Sequence, residues 1–332
     1  MRFTEKYNSA TIKAMNFSAL NKHLNRWMPF ITPVGAIIGL ALGSSVSSLT
    51  FLVTFFFAIV TFTGAIKLKV SDFIKVLKHP QKLILAFLSA HIIAPFSLFL
   101  ILKLTGLDKM MESTGFVLLT ATPIAVSSYV WSQIFYGSGP LSLAIIFVDT
   151  ILSPFVTPLT IRLLTSTAVN IDTHGMMVSL FYMVVLPSIL GMVCNSFVKK
   201  ELIDKALPSA NCLSKLFLFL VIVLNTSKMS LYVEFSLKYI PIALGVIALV
   251  VFTFLVAYLF GRLFCKDEDE LVSITIGGCM RNISASLVLA TSYFPPAATF
   301  PVVFGIIFQQ FSVGITGRFI FAKHIKEAEK GD

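Results

Sequence analysis

The sequence is dominated by apolar blocks that are each long enough to cross a lipid bilayer. A transmembrane helix needs about 20 largely apolar residues, and such blocks recur along almost the whole chain of 332 residues. Charged residues make up 13% of the chain, whereas a soluble domain carries roughly 25%. We therefore predict an all-α polytopic membrane protein, and neither a soluble enzyme nor a nucleic-acid-binding protein.

Hydropathy and turn signals predict ten transmembrane helices in two groups of five. The first group lies in residues 27–163 and the second in residues 176–321, between a cytoplasmic N-terminal segment (1–26) and a cytoplasmic tail (322–332). An odd number of helices in each group would invert the second group, which gives a 5+5 inverted repeat. The predicted spans are residues 28–46, 48–66, 83–103, 114–136, 138–163, 176–198, 211–231, 238–261, 271–292 and 297–321.

The positive charges predict the topology. The net charge of +10 comes from lysines and arginines that flank the apolar blocks, most of them at the ends that would face the cytoplasm. By the positive-inside rule, both termini are cytoplasmic and the protein is a multi-pass protein of the cell (inner) membrane. The N-terminal segment lacks the pattern of a cleavable signal peptide.

Spans 4 and 9 both contain residues that interrupt a helix. A proline in span 4 removes a backbone donor, and paired glycines weaken span 9. Interrupted helices at matching places in two inverted halves indicate the binding site of a transporter, and their free N–H groups suit an anion. The predicted substrate-binding residues are Pro123, Ser127, Ser128, Arg281 and Asn282.

Ionisable residues inside the spans are candidates for ion coupling, because a charge in the membrane is costly and usually functional. We predict Asp149, Ser142 and His91 as the coupling residues. Two interpretations of Arg281 stay open: it binds a substrate carboxylate or replaces a bound cation, or it is a structural partner of Asp149. The sequence carries no nucleotide-binding, hydrolase or zinc motif, so we predict no catalytic residues, no metal and no cofactor.

Several motifs resemble those of the bile-acid:sodium symporter (BASS) family, and they occur in the family's order along nearly the whole chain. They are Leu68-Lys69-Val70-Ser71-Asp72-Phe73 with Lys78-His79-Pro80, Ser153-Pro154 with Thr157-Pro158, Leu186-Pro187 with Leu190-Gly191, and Met280-Arg281-Asn282. The resemblance implies ten helices divided into a panel (spans 1, 2, 6 and 7) and a core (the other six). It also implies that spans 4 and 9 cross, and that substrates are organic anions such as bile acids, pyruvate and pantothenate, taken up with sodium.

The residues that the family uses to bind sodium are altered here. A glutamate and a glutamine of the family's span-9 pattern correspond to Gly277 and Arg281, and the span-3 glutamine corresponds to Ala90. The span-4 Ser-Asn pair is Ser128-Tyr129. A guanidinium cannot deprotonate, and at 4 Å it would repel sodium by about 4 kcal/mol at an effective dielectric near 20. We therefore expect no classical two-sodium symport, and a proton is the alternative coupling ion.

Together these features predict a secondary active transporter of a small organic anion, a carboxylate, that works by alternating access around spans 4 and 9. Its other predicted contact is the lipid bilayer, with no nucleic acid. An alternative is a carrier resembling the auxin-efflux/malate-permease group, which shares the fold. A membrane receptor is a third hypothesis, although the connections between spans are too short for a separate output domain.

Overall fold

A computed structural model describes residues 34, 35, 37–66, 80–165, 172–227 and 237–331, together with residues 20, 24 and 31. Within these residues the chain is almost entirely helical, and its one extended pairing is an antiparallel bridge between Ile124 and Arg281. The predicted N-terminal segment apart from residues 20 and 24, six residues of predicted span 1 (28–30, 32, 33 and 36) and the motif residues before Pro80 lie outside the described residues.

Residues 37–42 are α-helical and lead into a 3₁₀ helix, Gly43–Phe51. Twelve further α-helices follow one another through the described ranges. The α-helices are α1 (Leu52–Ala65), α2 (Pro80–Leu104), α3 (Met111–Ala121), α4 (Ser127–Ile134), α5 (Gly139–Leu164), α6 (Thr173–Phe197), α7 (Lys200–Ser227), α8 (Ile240–Phe264), α9 (Glu268–Cys279), α10 (Ile283–Tyr293), α11 (Pro296–Ile320) and α12 (Ala322–Gly331).

Seven of the described helical segments are long and apolar enough to cross a membrane. They are α1 with the end of its 3₁₀ helix (Ser45–Ala65), α2, α5, α6, α7, α8 and α11. Predicted spans 4 and 9 are each divided into two shorter helices, α3 with α4 and α9 with α10. The chain is thus a polytopic helical membrane protein. Helix α7 begins at Lys200, eleven residues before the predicted start of span 7, because a polar, amphipathic stretch continues the same helix.

The helices form two packing groups. Helix α1 packs against both α6 and α7, while α8 packs on α9 and α11, and α3 packs on α11 and α5. Large apolar side chains point outward from both groups, and Phe319 is 87% and Phe197 84% exposed. Such a surface is unfavourable in water and favourable in lipid.

Two helices contain a π-helical turn that lies just before a proline. In α2 the turn spans Ser89–Ile93 and precedes Pro95; in α6 it spans Phe181–Val185 and precedes Pro187. Proline offers no N–H to the carbonyl four residues before it, and a wider turn absorbs the mismatch. In α2 this turn carries His91, so it sets the direction of that imidazole.

The acidic run Asp267–Glu270 begins α9, where three carboxylates occupy the first turn. Carboxylates are favourable at the positive end of a helix, so this run stabilises the start of α9. Glu270 pairs with Lys82 and Glu268 with Arg262. Next to them, burial raises the pKa of the Cys265 thiol, and the charge of Lys82 partly offsets that rise.

Candidate functional site at the crossing of two broken helices

The two broken segments meet at their breaks. The first break, residues 122–126, separates α3 from α4; the second, residues 280–282, separates α9 from α10. The Ala125 N–H donates to the Met280 carbonyl (3.1 Å), and the Asn282 N–H donates to the Pro123 carbonyl (2.7 Å). These bonds satisfy backbone groups that would otherwise be unpaired deep in an apolar protein.

The two breaks have different local causes. Pro123 lies in the first break itself and has no N–H to continue α3. In the second, α9 continues through Gly277 and Gly278 and ends at Cys279, so the interruption predicted for span 9 is present but begins two residues after the paired glycines. Gly278 instead allows close packing, because a Cβ atom there would lie 2.7 Å from both the Ala257 Cβ and the Ser89 Oγ.

Arg281 is buried at the second break, with only 2% of its surface exposed. Its Nη2 donates to the carbonyls of Ala90 (2.5 Å) and Gly278 (3.1 Å). The Gly278 carbonyl belongs to the last turn of α9, where the helix dipole favours a cation. The other terminal nitrogen, Nη1, is buried and has no hydrogen-bond partner in the described part of the chain.

Gln309 of α11 holds the backbone of Arg281 on both sides. The Arg281 N–H donates to Gln309 Oε1 (3.1 Å), and Gln309 Nε2 donates to the Arg281 carbonyl (3.0 Å). The sequence analysis missed this residue. A buried amide in an otherwise apolar span was the signal that could have identified it, because a buried amide needs partners.

Asp149 of α5 serves the first break. Its Oδ2 accepts the N–H of Ile124 (2.6 Å), and its Oδ1 lies in contact with His91 Nε2. Both side chains are almost fully buried. Among the described residues Asp149 and Arg281 form no direct ion pair, so the interpretation of Arg281 as a structural partner of Asp149 does not hold at contact distance. The partner of Asp149 is His91.

The other predicted residues occupy two places. Ser127 and Asn282 are half-buried beside the breaks, whereas Pro123 and Ser128 are buried. The neighbouring Val126 faces α1, since a Cβ added to Gly64 would lie 3.4 Å from Val126 Cγ1. We call Val126, Ser127 and Asn282 the open side of the crossing, and His91, Asp149 and Arg281, which pack among α2, α5 and α9, the sealed side.

The open side lies at two helix starts. Helix α4 begins at Ser127 and α10 begins at Ile283, so both N-termini lie at the crossing. The Asn282 side chain caps α10 by accepting the N–H of Ala285 (3.2 Å). The combined positive ends of two helices favour an anion.

Ser142 does not join the Asp149 pair. Its hydroxyl bonds to that of Ser132 on α4 (2.7 Å), and Ser132 approaches Ser273 on α9 (3.3 Å). Asp149 follows seven residues later in α5, which places it about 10 Å further along the helix axis. Nowhere in the described ranges do three or more His, Cys, Asp or Glu side chains cluster as metal ligands would.

Comparisons with known proteins identify the relatives of the chain. The profile of the Sodium Bile acid symporter family matches residues 54–235. The chain is 34% identical over 291 residues to the uncharacterized protein YbaS of Bacillus subtilis (strain 168), covering 87% of this chain and 95% of that protein. It is 23% identical over 304 residues to the same organism's uncharacterized sodium-dependent transporter YocS, covering 90% and 91%. It is also 28% identical over 247 residues to the probable chloroplastic sodium/metabolite cotransporter BASS3 of Oryza sativa subsp. japonica, covering 73% and 57%.

Proposed function

The chain belongs to the sodium bile acid symporter family and is a membrane transporter, and on this premise we propose that it carries a small carboxylate by alternating access around the crossing of α3/α4 with α9/α10. The observation that carries this proposal is the bridge between the two breaks, which holds two helix N-termini beside a buried guanidinium. Membership of this family favours the proposal over the resemblance to the auxin-efflux/malate-permease group.

The proposed architecture is ten spans in a 5+5 inverted repeat, in the cell (inner) membrane, with both termini in the cytoplasm. The broken segments α3/α4 and α9/α10 support it, because each occupies the fourth place in its predicted group of five. In this arrangement the group formed by α1, α6 and α7 moves against the other helices and exposes the open side of the crossing alternately to each side of the membrane.

The proposed carboxylate site is the open side. The N-termini of α4 and α10 offer the partial positive charge of their helix dipoles, and Ser127 and Asn282 are the half-buried polar side chains beside them. A carboxylate bound here would make hydrogen bonds to helix starts and neutral side chains. The Arg281 guanidinium on the sealed side would stabilise the bound anion through its charge.

Arg281 is the proposed fixed replacement for a coupling cation. The family resemblance implies sodium sites behind the crossing. In this chain the guanidinium donates hydrogen bonds to the carbonyl oxygens of Ala90 and Gly278. Carbonyl oxygens are also what a bound sodium ion would require. Some relatives are named as sodium-dependent; in this chain we propose that transport needs no sodium, and that Asp149 and His91 couple it to protons.

The test is uptake by the purified full chain in proteoliposomes, with radiolabelled pyruvate and pantothenate as probes. We expect uptake of at least one probe, and the same rate when choline replaces sodium. Uptake of neither probe, nor of other carboxylates found by a thermal-shift screen, would contradict the proposed function. Strict sodium dependence would overturn only the claim about Arg281.

A pair of variants tests whether uptake depends on the Arg281 guanidinium in particular. Arg281→Ala should abolish uptake, whereas the exposed Arg318 at the end of α11 can be replaced by alanine as a matched control with wild-type uptake. If Arg281 acts as a tethered cation, added guanidinium chloride at millimolar concentration should partly restore Arg281→Ala.

A further inference from the structure

Resting on the proposed function, we infer that the His91–Asp149 pair binds one proton for each monovalent carboxylate that the crossing accepts, so that the transporter is an electroneutral proton–anion symporter. The inference goes beyond a general coupling role, because it fixes the stoichiometry and the atom that receives the proton.

The geometry identifies that atom. His91 Nε2 faces the Asp149 carboxylate, and the other carboxylate oxygen already accepts the Ile124 N–H. Where the Asp149 carboxylate is ionised, both of its oxygens accept, so Nε2 carries the hydrogen and Nδ1 is left with a lone pair. Nδ1 is buried and has no hydrogen-bond partner within the described ranges, and this ring nitrogen is where a proton can add.

The charges around His91 determine when protonation is favourable. The titratable or charged groups that face this place are Asp149 from α5, Arg281 from the second break and the Cys279 thiol at the end of α9. Helix α8 packs on the turn that carries His91, and its apolar Ala257 lies beside Gly278. Within α2 the Phe87 ring packs against the imidazole, with 4.9 Å between the ring centroids. With His91 neutral, Arg281 and Asp149 cancel, and the buried site carries no net charge.

An added carboxylate breaks that balance and an added proton restores it. A monovalent anion at the crossing brings one negative charge near a buried group that is already neutral overall, and such a charge is costly in a low dielectric unless it is compensated. Protonation of His91 supplies the compensating charge. Conversely, a protonated His91 without the anion would leave a net positive charge, so each ligand raises the affinity for the other by the same factor.

The hydrogen bond between Asp149 and Ile124 connects the protonation of His91 to the broken helices. Asp149 accepts its backbone bond in the first break, one residue from Pro123 and Ala125, which bond to the second break. Any change in the interaction between His91 and the Asp149 carboxylate therefore alters the hydrogen bond that Asp149 accepts from the Ile124 N–H at the crossing. No intervening chain of residues is needed between the proton site and the broken helices.

The experiment uses the full chain in proteoliposomes, with valinomycin and equal potassium on both sides to hold the membrane potential at zero. If one proton enters with each anion, an inside-alkaline gradient of one pH unit should accumulate labelled pyruvate about tenfold. An imposed membrane potential without a pH gradient should drive no accumulation. Accumulation that ignores the pH gradient, or that follows the potential, would overturn the inference.

A matched pair of histidine variants assigns the effect to His91. His91→Gln keeps a donor for Asp149 but cannot bind the proton, so it should lose accumulation under the pH gradient and should show a raised KM in the exchange of labelled for unlabelled pyruvate. His174→Gln, at an exposed position in α6, should behave as wild type. Should His91→Gln fail to fold, the stoichiometry measured on the wild-type protein still decides the question.

The two proposals fail in different ways. If pyruvate exchange is present but no pH gradient drives it, carboxylate transport stands and proton coupling is wrong. If no carboxylate exchanges under any condition, the proposed function itself is wrong.

Discussion

At each of the two breaks a charged side chain bonds to a backbone group that has no partner within its helix, and the two side chains carry opposite charges. At the first break a free N–H, that of Ile124, is met by the Asp149 carboxylate from another helix. At the second break the Gly278 carbonyl, in the last turn of α9, accepts a hydrogen bond from the guanidinium of the break's own Arg281. An anion therefore supports the donors of one break, and a cation supports the acceptors of the other, as the direction of the helix dipoles requires.

The difference between the breaks lies in where the supporting charge comes from. Arg281 is part of the second break and moves with it. Asp149 is on α5, and His91 on α2 contacts it from a third helix. The charge that supports the second break thus comes from the break itself, while the first break depends on Asp149 and His91, the proposed proton-binding pair. The comparison suggests that the first break is the regulated one, and the following variants test it in order of decreasing expected effect.

Removing the internal cation should have the largest effect. Arg281→Ala leaves Asp149 as an uncompensated buried charge and two carbonyls without their donor, so we expect a loss of about 3–5 kcal/mol in the free energy of unfolding. Thermal unfolding in detergent measures it. Arg281→Lys should recover part of the loss, because it restores the charge without the planar fork. Equal stability of Arg281→Ala and wild type would show that the second break needs no cation.

Removing the Asp149 carboxylate should lower the free energy of unfolding by a smaller amount, and that amount should depend on the residue that replaces Asp149. Asp149→Ala leaves the Ile124 N–H unpaired in the interior, at about 1–3 kcal/mol, and unbalances Arg281. Asp149→Asn keeps an acceptor for Ile124, so it should be more stable than the alanine variant. Both should lose proton-driven accumulation. Identical unfolding temperatures for the two variants would mean that the Ile124 bond contributes little.

The close packing at the end of α9 gives a third test. Gly278→Ala would place a methyl group 2.7 Å from the Ala257 Cβ, and such overpacking costs typically about 1–3 kcal/mol. At Gly277 the nearest atom to an added Cβ is the Ile145 Cγ2 methyl at 3.1 Å, which can move more easily. Gly277→Ala should therefore be the milder variant in the same unfolding assay, and the reverse order would contradict the packing explanation.

The smallest effect is expected at the helix cap. Asn282→Ala removes the acceptor for the Ala285 N–H and should cost about 1 kcal/mol. Asn282→Ser keeps a capping oxygen and serves as the control for stability. If Asn282 also contacts the carboxylate, the alanine variant should raise the KM for uptake while kcat changes little. An unchanged KM would limit Asn282 to its capping role.

Much of this arrangement could be predicted from local sequence. Pro123 marks the first break directly, because proline acts on the backbone at its own position. An arginine, an aspartate and a histidine in apolar spans are visible without a structure, since their cost in lipid makes them stand out. Membership of the transporter family also followed from motifs along the chain, and the family match confirms it.

Other features depend on how helices meet, which local sequence does not encode. The partner of Asp149 is His91 and not Arg281, because the π-helical turn in α2 sets the direction of the imidazole. The role of Gly278 appears only when α2 and α8 are packed against α9. Ser142, two turns from Asp149, lies within reach of Ser132 only because α4 restarts after the first break.

The separation of the open side from the sealed side has a consequence for turnover. A carboxylate at the proposed site on the open side would meet helix ends, a hydroxyl and an amide, and it would form no ion pair that must be broken before it leaves. Its dwell time is then set by the movement of the helices and not by release from a charged side chain. The fixed charges of Arg281 and Asp149 would act on every bound carboxylate alike through their electric field. The part of the substrate beyond its carboxylate could therefore differ from one substrate to another.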